Sequence, residues 1–113
     1  MFGSHLSIAG GMFHALDVAV EQKMDCVQVF TKNQRQWKAK PLQDDDTAIW
    51  LDKLKAMGWL DTNRVVSHNS YLINMASPEK EAWDKSVALQ REEIERCETL
   101  HIPFLVSHPG ARL

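Results

Sequence analysis

Apolar runs of strand length alternate along this chain with segments in which apolar residues recur every three or four positions. Such alternation is typical of βα units built on a parallel sheet. We predict strands at about residues 2–6, 26–30, 64–67 and 103–107. Three helices are predicted to connect them, so that the chain belongs to the α/β class with four parallel strands.

The three predicted helices are marked by different signals. A turn at 9–11, rich in glycine, precedes the first. The second begins in the acidic run 44–46, where carboxylates accept hydrogen bonds from free N–H groups and oppose the helix dipole, and it ends at Gly58. The third has Ser77 as N-cap and Pro78 in its first turn, and runs to about Leu100. The predicted apolar stripes are Leu16, Ala19 and Val20, then Trp50, Leu51, Leu54 and Met57, then Trp83, Val87, Ile94 and Cys97.

Length and composition indicate one modest domain. The 113 residues are 44% apolar and 25% charged, which is ordinary for a globular protein. Cys26 and Cys97 match no CxxC pattern, and we expect two reduced, buried thiols. Residues 1–7 lack the features of a signal peptide and no run reaches the roughly 20 apolar residues of a membrane span, so we expect a cytoplasmic protein without membrane contact.

Charge is segregated rather than abundant. The net charge of −2 provides no general attraction to nucleic acid, so any DNA affinity must come from local clusters of Lys and Arg. Segment 32–40 carries Lys32, Arg35, Lys38 and Lys40 without an acid. This segment is therefore the candidate contact with a polyanion.

Two histidines follow neighbouring predicted strands. His68 and His108 stand at the exits of strands three and four, on the rim where parallel βα folds place catalytic groups. Imidazole suits zinc, and two ligands from separate strands could meet at one ion. Spacing alone leaves open that each histidine caps a loop or donates to a carbonyl. His5 ends strand one and is predicted to face the same rim, in a supporting polar role or a plain hydrogen bond.

Three segments carry a resemblance to a known family. Phe30-Thr-Lys-Asn-Gln-Arg-Gln-Trp37, His68-Asn-Ser-Tyr-Leu-Ile-Asn74 and Ser107-His-Pro-Gly110 resemble the amino-terminal part of the endonuclease IV family, zinc-dependent enzymes that cut DNA at abasic sites. The resemblance implies the first half of a (β/α)₈ TIM barrel of the xylose isomerase-like type, as a single partial domain over residues 1–113. Family enzymes are more than twice this long, so an interrupted architecture ending at Leu113 is expected.

The resemblance also implies a metal site. His68 and His108 match two zinc ligands of a cluster that holds up to three ions in the complete enzyme, and manganese would also suit mixed His and carboxylate ligation. The other family ligands lie beyond this sequence. Because two imidazoles cannot close a tetrahedral site, we expect the 113-residue chain alone to be inactive.

The implied partner is double-stranded DNA with an abasic site, cut on its 5′ side in base excision repair. Asn33, Gln34 and Arg35 match a loop that enters the base stack, and Tyr71 and Leu72 match a second wedge. For an arbitrary protein Arg35 would be a solvated charge, and Tyr71 and Leu72 would belong to the core.

Two other functions remain open at this point. One is a sugar isomerase or epimerase of the same barrel superfamily, which the strand-exit histidines also fit, although a sugar pocket has no use for a protruding basic loop. The other is a non-catalytic half-barrel that binds DNA or self-associates through the open edges of strands one and four.

Overall fold

A computed structural model describes residues 1–38 and 40–112 of the protein. Ala39, inside the basic segment, and Leu113, at the predicted domain end, lie outside the described residues. Four strands alternate with three helices, which confirms the predicted element order. The elements are β1 (Gly3–His5), α1 (Phe13–Glu21), β2 (Cys26–Val29), α2 (Asp44–Met57), β3 (Val65–His68), α3 (Lys80–Thr99) and β4 (Phe104–Val106).

The strands form one parallel sheet in the order β1-β2-β3-β4. Gly3 pairs with Cys26, Val27 with Val65, and Val66 with Phe104. Each strand pairs with the next strand along the chain, and one helix connects the two in sequence. The loops that leave the four carboxyl ends therefore lie along one edge of the sheet, here called the carboxyl edge.

Alternate residues of the central strands build the core with the helices. Val27 and Val29 of β2 and Val65 of β3 are buried, as are Leu16 of α1 and Trp50 of α2. The indole Nε1–H of Trp50 donates to the Leu100 carbonyl at 2.9 Å, so this large side chain is buried without an unsatisfied donor. The helices thus hold one face of the sheet and leave its carboxyl edge accessible.

The first two helices follow the prediction closely, with one error. In α1 the buried residues are Ala15, Leu16 and Ala19, whereas Val20 is exposed and does not belong to the stripe. Val20 therefore lies on the outer face of the helix. Helix α2 begins at Asp44 as predicted, and Gly58 ends it with a left-handed φ of 72°.

Helix α3 departs further from its prediction. It begins at Lys80 with Glu79 as N-cap, while the Ser77 hydroxyl accepts a hydrogen bond from the Glu79 N–H at 3.3 Å in the preceding turn. Trp83 and Ile94 of the predicted stripe are exposed. The buried positions of α3 are Ser86, Leu89, Glu93 and Cys97. The predicted stripe followed the largest apolar residues, but the inward face carries a serine and a glutamate.

Cys26 and Cys97 are both free, and Cys97 is buried as predicted, whereas Cys26 is only half-buried. Within the described residues, the helices are all too short or too polar to cross a bilayer.

Candidate functional site

The two rim histidines meet at the carboxyl edge. His68 is the last residue of β3 and His108 follows β4 by two residues. Their Nε2 atoms lie 3.2 Å apart, and the Nδ1 of His68 lies 2.7 Å from the Asn69 carbonyl oxygen. Since a carbonyl only accepts, Nδ1 of His68 carries the proton and its Nε2 presents a lone pair toward His108. The structure therefore brings together the residues that the sequence placed on separate strands.

Hydrogen bonds between the exits of β3 and β4 hold His68 and His108 close together. The backbone N–H of Asn69 donates to the Val106 carbonyl at 2.9 Å, and its side-chain Nδ2 donates to the Ser107 hydroxyl at 3.0 Å and to Gln90 of α3. Each histidine is thus adjacent in sequence to a residue tied across the sheet. The Asn69 side chain sets the spacing of the two rings.

A second asparagine holds the segment after His108. The Asn74 side chain donates from Nδ2 to the Ala111 carbonyl at 2.9 Å, and its Oδ1 accepts from the Ala111 N–H at 3.1 Å. Gly110 makes this approach possible because its φ is 95° and a Cβ there would overlap Oδ1 of Asn74. We call this arrangement the Asn74 clamp. It fixes the chain three residues beyond His108.

His5 lies at the same edge, as predicted, but not against the histidine pair. Its Nδ1 accepts from the Gln28 amide at 2.9 Å, and its ring meets Phe30 edge-on with centroids 4.7 Å apart. Partial burial lowers the pKa of His5, and the neighbouring His68 lowers it further. His5 is therefore a predominantly neutral hydrogen-bonding group beside the histidine pair.

Phe30 is the centre of an aromatic cluster that the sequence did not reveal as such. Its ring centroid lies 5.6 Å from that of His68 and 5.4 Å from that of Tyr71, in edge-to-face geometry. Phe30 opens the octapeptide that carries the family resemblance and follows β2 directly, so its position was the available signal. The cluster joins the exits of β1, β2 and β3.

The loop after β2, residues 31–36, projects beside this cluster and is here called the Arg35 loop. Arg35 is exposed at its tip, where the Arg35 N–H donates to the Asn33 side-chain oxygen at 2.9 Å. Asn33 is exposed as well, whereas Gln34 is half-buried. All three predicted residues therefore lie on one loop at the carboxyl edge.

The loop after β3, residues 69–74, is the second predicted contact and is here called the Tyr71 loop. Tyr71 is 71% exposed, so the core alternative is wrong for it, while Leu72 is half-buried. The Ser70 hydroxyl donates to the Gln34 carbonyl at 2.8 Å and ties the Tyr71 loop to the Arg35 loop. This link joins residues 36 positions apart, and the sequence provided no sign of it.

A cleft of about 950 Å³ opens between these loops and the sheet edge. Its lining includes His5, Gln28, Phe30, Arg35, His68 and Tyr71. Its lining therefore combines aromatic rings with an arginine. Across residues 1–38 and 40–112, no cluster of three or more His, Cys, Asp or Glu side chains is placed to hold a metal, so the two histidines stand as a pair.

Comparison with known proteins agrees with the fold. The family described as "Xylose isomerase-like TIM barrel" matches residues 16–113. "Probable endonuclease 4" of Chloroflexus aurantiacus (strain J-10-fl) is 42% identical over 110 residues, which are 97% of this chain and 38% of that protein. "Probable endonuclease 4" of Geobacter sulfurreducens is 42% identical over 113 residues and is covered to 36%. The chain thus spans less than two fifths of these relatives.

A solved structure extends the comparison to the fold. Endonuclease IV from Thermus thermophilus superposes with a TM-score of 0.88 and 31% identity, over 100% of this chain and 42% of that one. The four parallel strands and three helices therefore correspond to part of a TIM barrel, as predicted. On the family match and this superposition together, the chain belongs to the xylose isomerase-like TIM barrel family and is similar to part of endonuclease IV.

Proposed function

We propose that the protein acts as a metal-dependent phosphodiesterase that cuts DNA 5′ to abasic sites in base excision repair. The observation that carries this proposal is the meeting of His68 and His108 at the same edge of the sheet as Arg35 and Tyr71. A pair of metal-type ligands beside an exposed cation and an exposed aromatic ring suits a damaged duplex. The similarity to proteins named endonuclease 4 supports it.

The histidine pair fits one edge of a zinc site. Zinc–nitrogen bonds of about 2.0–2.1 Å at a tetrahedral angle place two ligand nitrogens about 3.3 Å apart. The Nε2 atoms of His68 and His108 lie 3.2 Å apart. The carbonyl of Asn69 on Nδ1 of His68 is the outer partner that metal-bound histidines usually have. His68 and His108 would therefore hold one zinc, or manganese, between them.

A bound divalent metal supplies charge neutralisation at the phosphodiester. The contribution of this chain is to hold the two imidazoles at a fixed separation, with His68 in a fixed tautomer. Asn69 does so through its carbonyl and its side chain, and the Asn74 clamp does so from the far side of His108. We propose that the 113 residues alone do not cut DNA, because two ligands leave a tetrahedral ion half-coordinated.

The DNA-contacting part of the proposal rests on the two loops. Arg35 offers five donors to phosphates or exposed base edges, and Asn33 adds an amide beside it. Tyr71 offers a ring that is already held edge-on by Phe30 and His68. Leu72, beside Tyr71, is the apolar part of the same wedge. An abasic nucleotide lacks the stacking that normally opposes extrusion, so insertion of these side chains costs least at such a site.

The test is binding and incision of a duplex with one abasic site. We expect fluorescence anisotropy to show tighter binding of this chain to the abasic duplex than to the intact duplex of the same sequence. Incision is assayed with added zinc and again with a chelator. Equal affinity for both duplexes would overturn the proposed substrate, and chelator-sensitive incision by this chain would overturn the proposal that it is inactive alone.

A further inference from the structure

Arg96 of α3 binds two separate parts of the backbone after β2. Its Nε donates to the Thr31 carbonyl at 3.0 Å, and one terminal nitrogen donates to the same carbonyl. The other terminal nitrogen donates to the Lys40 carbonyl at 3.2 Å. Thr31 begins the Arg35 loop, and Lys40 ends the basic segment 32–40. A single side chain therefore holds the chain on both sides of Arg35.

The Arg35 loop depends on side chains for much of its hydrogen bonding. Residues 31–36 lie outside the helices and strands, and the Gln36 N–H donates to the Asn33 carbonyl at 3.3 Å. The Nζ of Lys32 donates to the Asn33 carbonyl at 2.9 Å and to the Gln36 carbonyl. Backbone carbonyls removed from water need donors, and here Lys32 and Arg96 provide them. The conformation of the loop therefore depends on a residue of another element.

An arginine suits this double contact. Its planar guanidinium presents five N–H donors in fixed directions, so two carbonyls bound to it are held at a fixed separation. None of the ion pairs among the described residues includes Arg96, so its donors are directed at the backbone. Burial lowers the pKa of Arg96, and the nearby Glu92 and Glu93 raise it. The hydrogen bonds require only the N–H groups, which an arginine keeps at neutral pH.

The same helix also holds the other parts of the candidate site. The Ser86 hydroxyl accepts from the Asn74 N–H of the Tyr71 loop at 2.9 Å. Gln90 accepts from the side chain of Asn69, which ties the exits of β3 and β4 together. Arg96 is the contact through which α3 holds the third part, the Arg35 loop. Because all three contacts come from one helix, α3 sets the position of the loop relative to the histidine pair.

We propose that Arg96 is a positioning residue for DNA contact, which holds both sides of the Arg35 loop and thereby keeps Arg35 at the carboxyl edge. Without the guanidinium, the Thr31 and Lys40 carbonyls would lose these donors, and the two sides of the loop would no longer be joined. The loop would then sample conformations in which Arg35 points away from the cleft. The DNA-binding consequence rests on the proposed function, whereas the effect on the loop itself does not.

Hydrogen exchange of the full chain tests the effect on the loop. The Arg35 and Gln36 amides, which donate to Asn33, report loop order. Arg96→Leu removes every donor and should lower their protection factors by about tenfold, the scale of one lost hydrogen bond from a charged group. Arg96→Lys keeps the charge but not the fork of donors, so it should lower the same protection factors. Unchanged protection in Arg96→Leu, or full protection in Arg96→Lys, would overturn the proposal.

Two controls separate positioning from general destabilisation. Arg91→Leu removes an exposed arginine from the same helix and should leave the loop amides unchanged. The Val27 amide, which donates to the Arg64 carbonyl at 2.9 Å, reports the order of β2. Arg96→Lys should lower the protection of the loop amides more than that of the Val27 amide. An equal loss at both would show that Arg96 only stabilises the fold.

Binding to a duplex with one abasic site provides a second measurement. Arg96→Lys should weaken this binding by less than about tenfold, because Arg35 itself remains present. In an Arg35→Ala background, Arg96→Lys should have no further effect, and an equal loss in both backgrounds would show that Arg96 does not act through Arg35. If the loop amides respond but the unmodified chain does not prefer the abasic duplex, the effect of Arg96 on the loop stands and the proposed function fails.

Discussion

The Nε2 atoms of His68 and His108 lie 3.2 Å apart although the residues are 40 positions apart in the chain. They meet because each follows one of two adjacent parallel strands, β3 and β4, whose exits are tied together through Asn69. Two imidazole nitrogens at this separation either share one proton or share one cation. Titration of the chain with zinc distinguishes these possibilities.

We expect zinc to bind to this chain and to require both histidines. His68→Ala and His108→Ala should each lower the zinc affinity by more than about tenfold. A loss of about tenfold is typical when only a hydrogen-bond partner of a metal ligand is removed. Isothermal titration calorimetry measures this, with His14→Ala on the exposed side of α1 as the control. Equal zinc affinity in all four proteins would rule out the histidine pair as the metal site.

Arg35→Ala should weaken binding to a duplex with one abasic site by about tenfold, since a charged donor to phosphate or base is lost. The zinc affinity should be unchanged, because Arg35 touches neither histidine. Lys55→Ala, in the last turn of α2 at the opposite end of the sheet, is the matched loss of one positive charge. If both variants lose affinity equally, Arg35 contributes only general electrostatics.

Gly110→Ala should destabilise the protein more than Gly58→Ala. Both glycines have left-handed φ values, 95° and 72°, for which an alanine costs roughly 1–2 kcal/mol. A methyl group at Gly58 meets open space, whereas one at Gly110 overlaps the Asn74 side chain. Thermal unfolding measures the difference, and equal losses of stability would show that the Asn74 clamp is not formed in solution.

Glu93→Gln should change the pH dependence of stability in a defined direction. Because burial raises the folded-state pKa of Glu93, the folded chain retains a proton that the unfolded chain has already lost between the two pKa values. Stability from this group is therefore lost as pH rises through that window. The non-titrating Gln avoids this loss.

The melting temperature of Glu93→Gln relative to the unmodified chain should accordingly rise as the pH increases above the ordinary pKa of a glutamate, about 4.3. Glu95→Gln, at an exposed position on the same helix, is the matched control variant. A difference in melting temperature that does not change with pH for Glu93→Gln would mean that Glu93 titrates alike in the folded and unfolded chains.

The order of elements was predictable because each had local signals, such as the acidic start of α2 and Gly58 at its end. The inward face of α3 was not, since Ser86 and Glu93 face the interior and Trp83 and Ile94 face solvent. Ser86, Leu89, Glu93 and Cys97 do recur at helical spacing. The prediction instead followed the most hydrophobic residues, which selected a different face of α3.

The candidate site likewise has features that were predictable from the sequence and features that were not. The placement of His68, His108, Arg35 and Tyr71 at one edge of the sheet was predictable, because the strand exits of a parallel sheet share one edge. The bond between Ser70 and the Gln34 carbonyl was not, because contacts between loops depend on distances that no local pattern contains.

The hydrogen bond between the Ser70 hydroxyl and the Gln34 carbonyl joins the Tyr71 loop to the Arg35 loop. Since Ser70 precedes Tyr71 and Gln34 precedes Arg35, this bond holds the backbone positions from which the aromatic ring and the guanidinium project before any ligand arrives. A duplex that contacts both loops must adapt its backbone to the spacing between them. If the proposed function holds, a nucleotide that bends easily would fit this spacing at lower energy than one held in a continuous stack, so a fixed arrangement of the loops would favour flexible sites in the DNA.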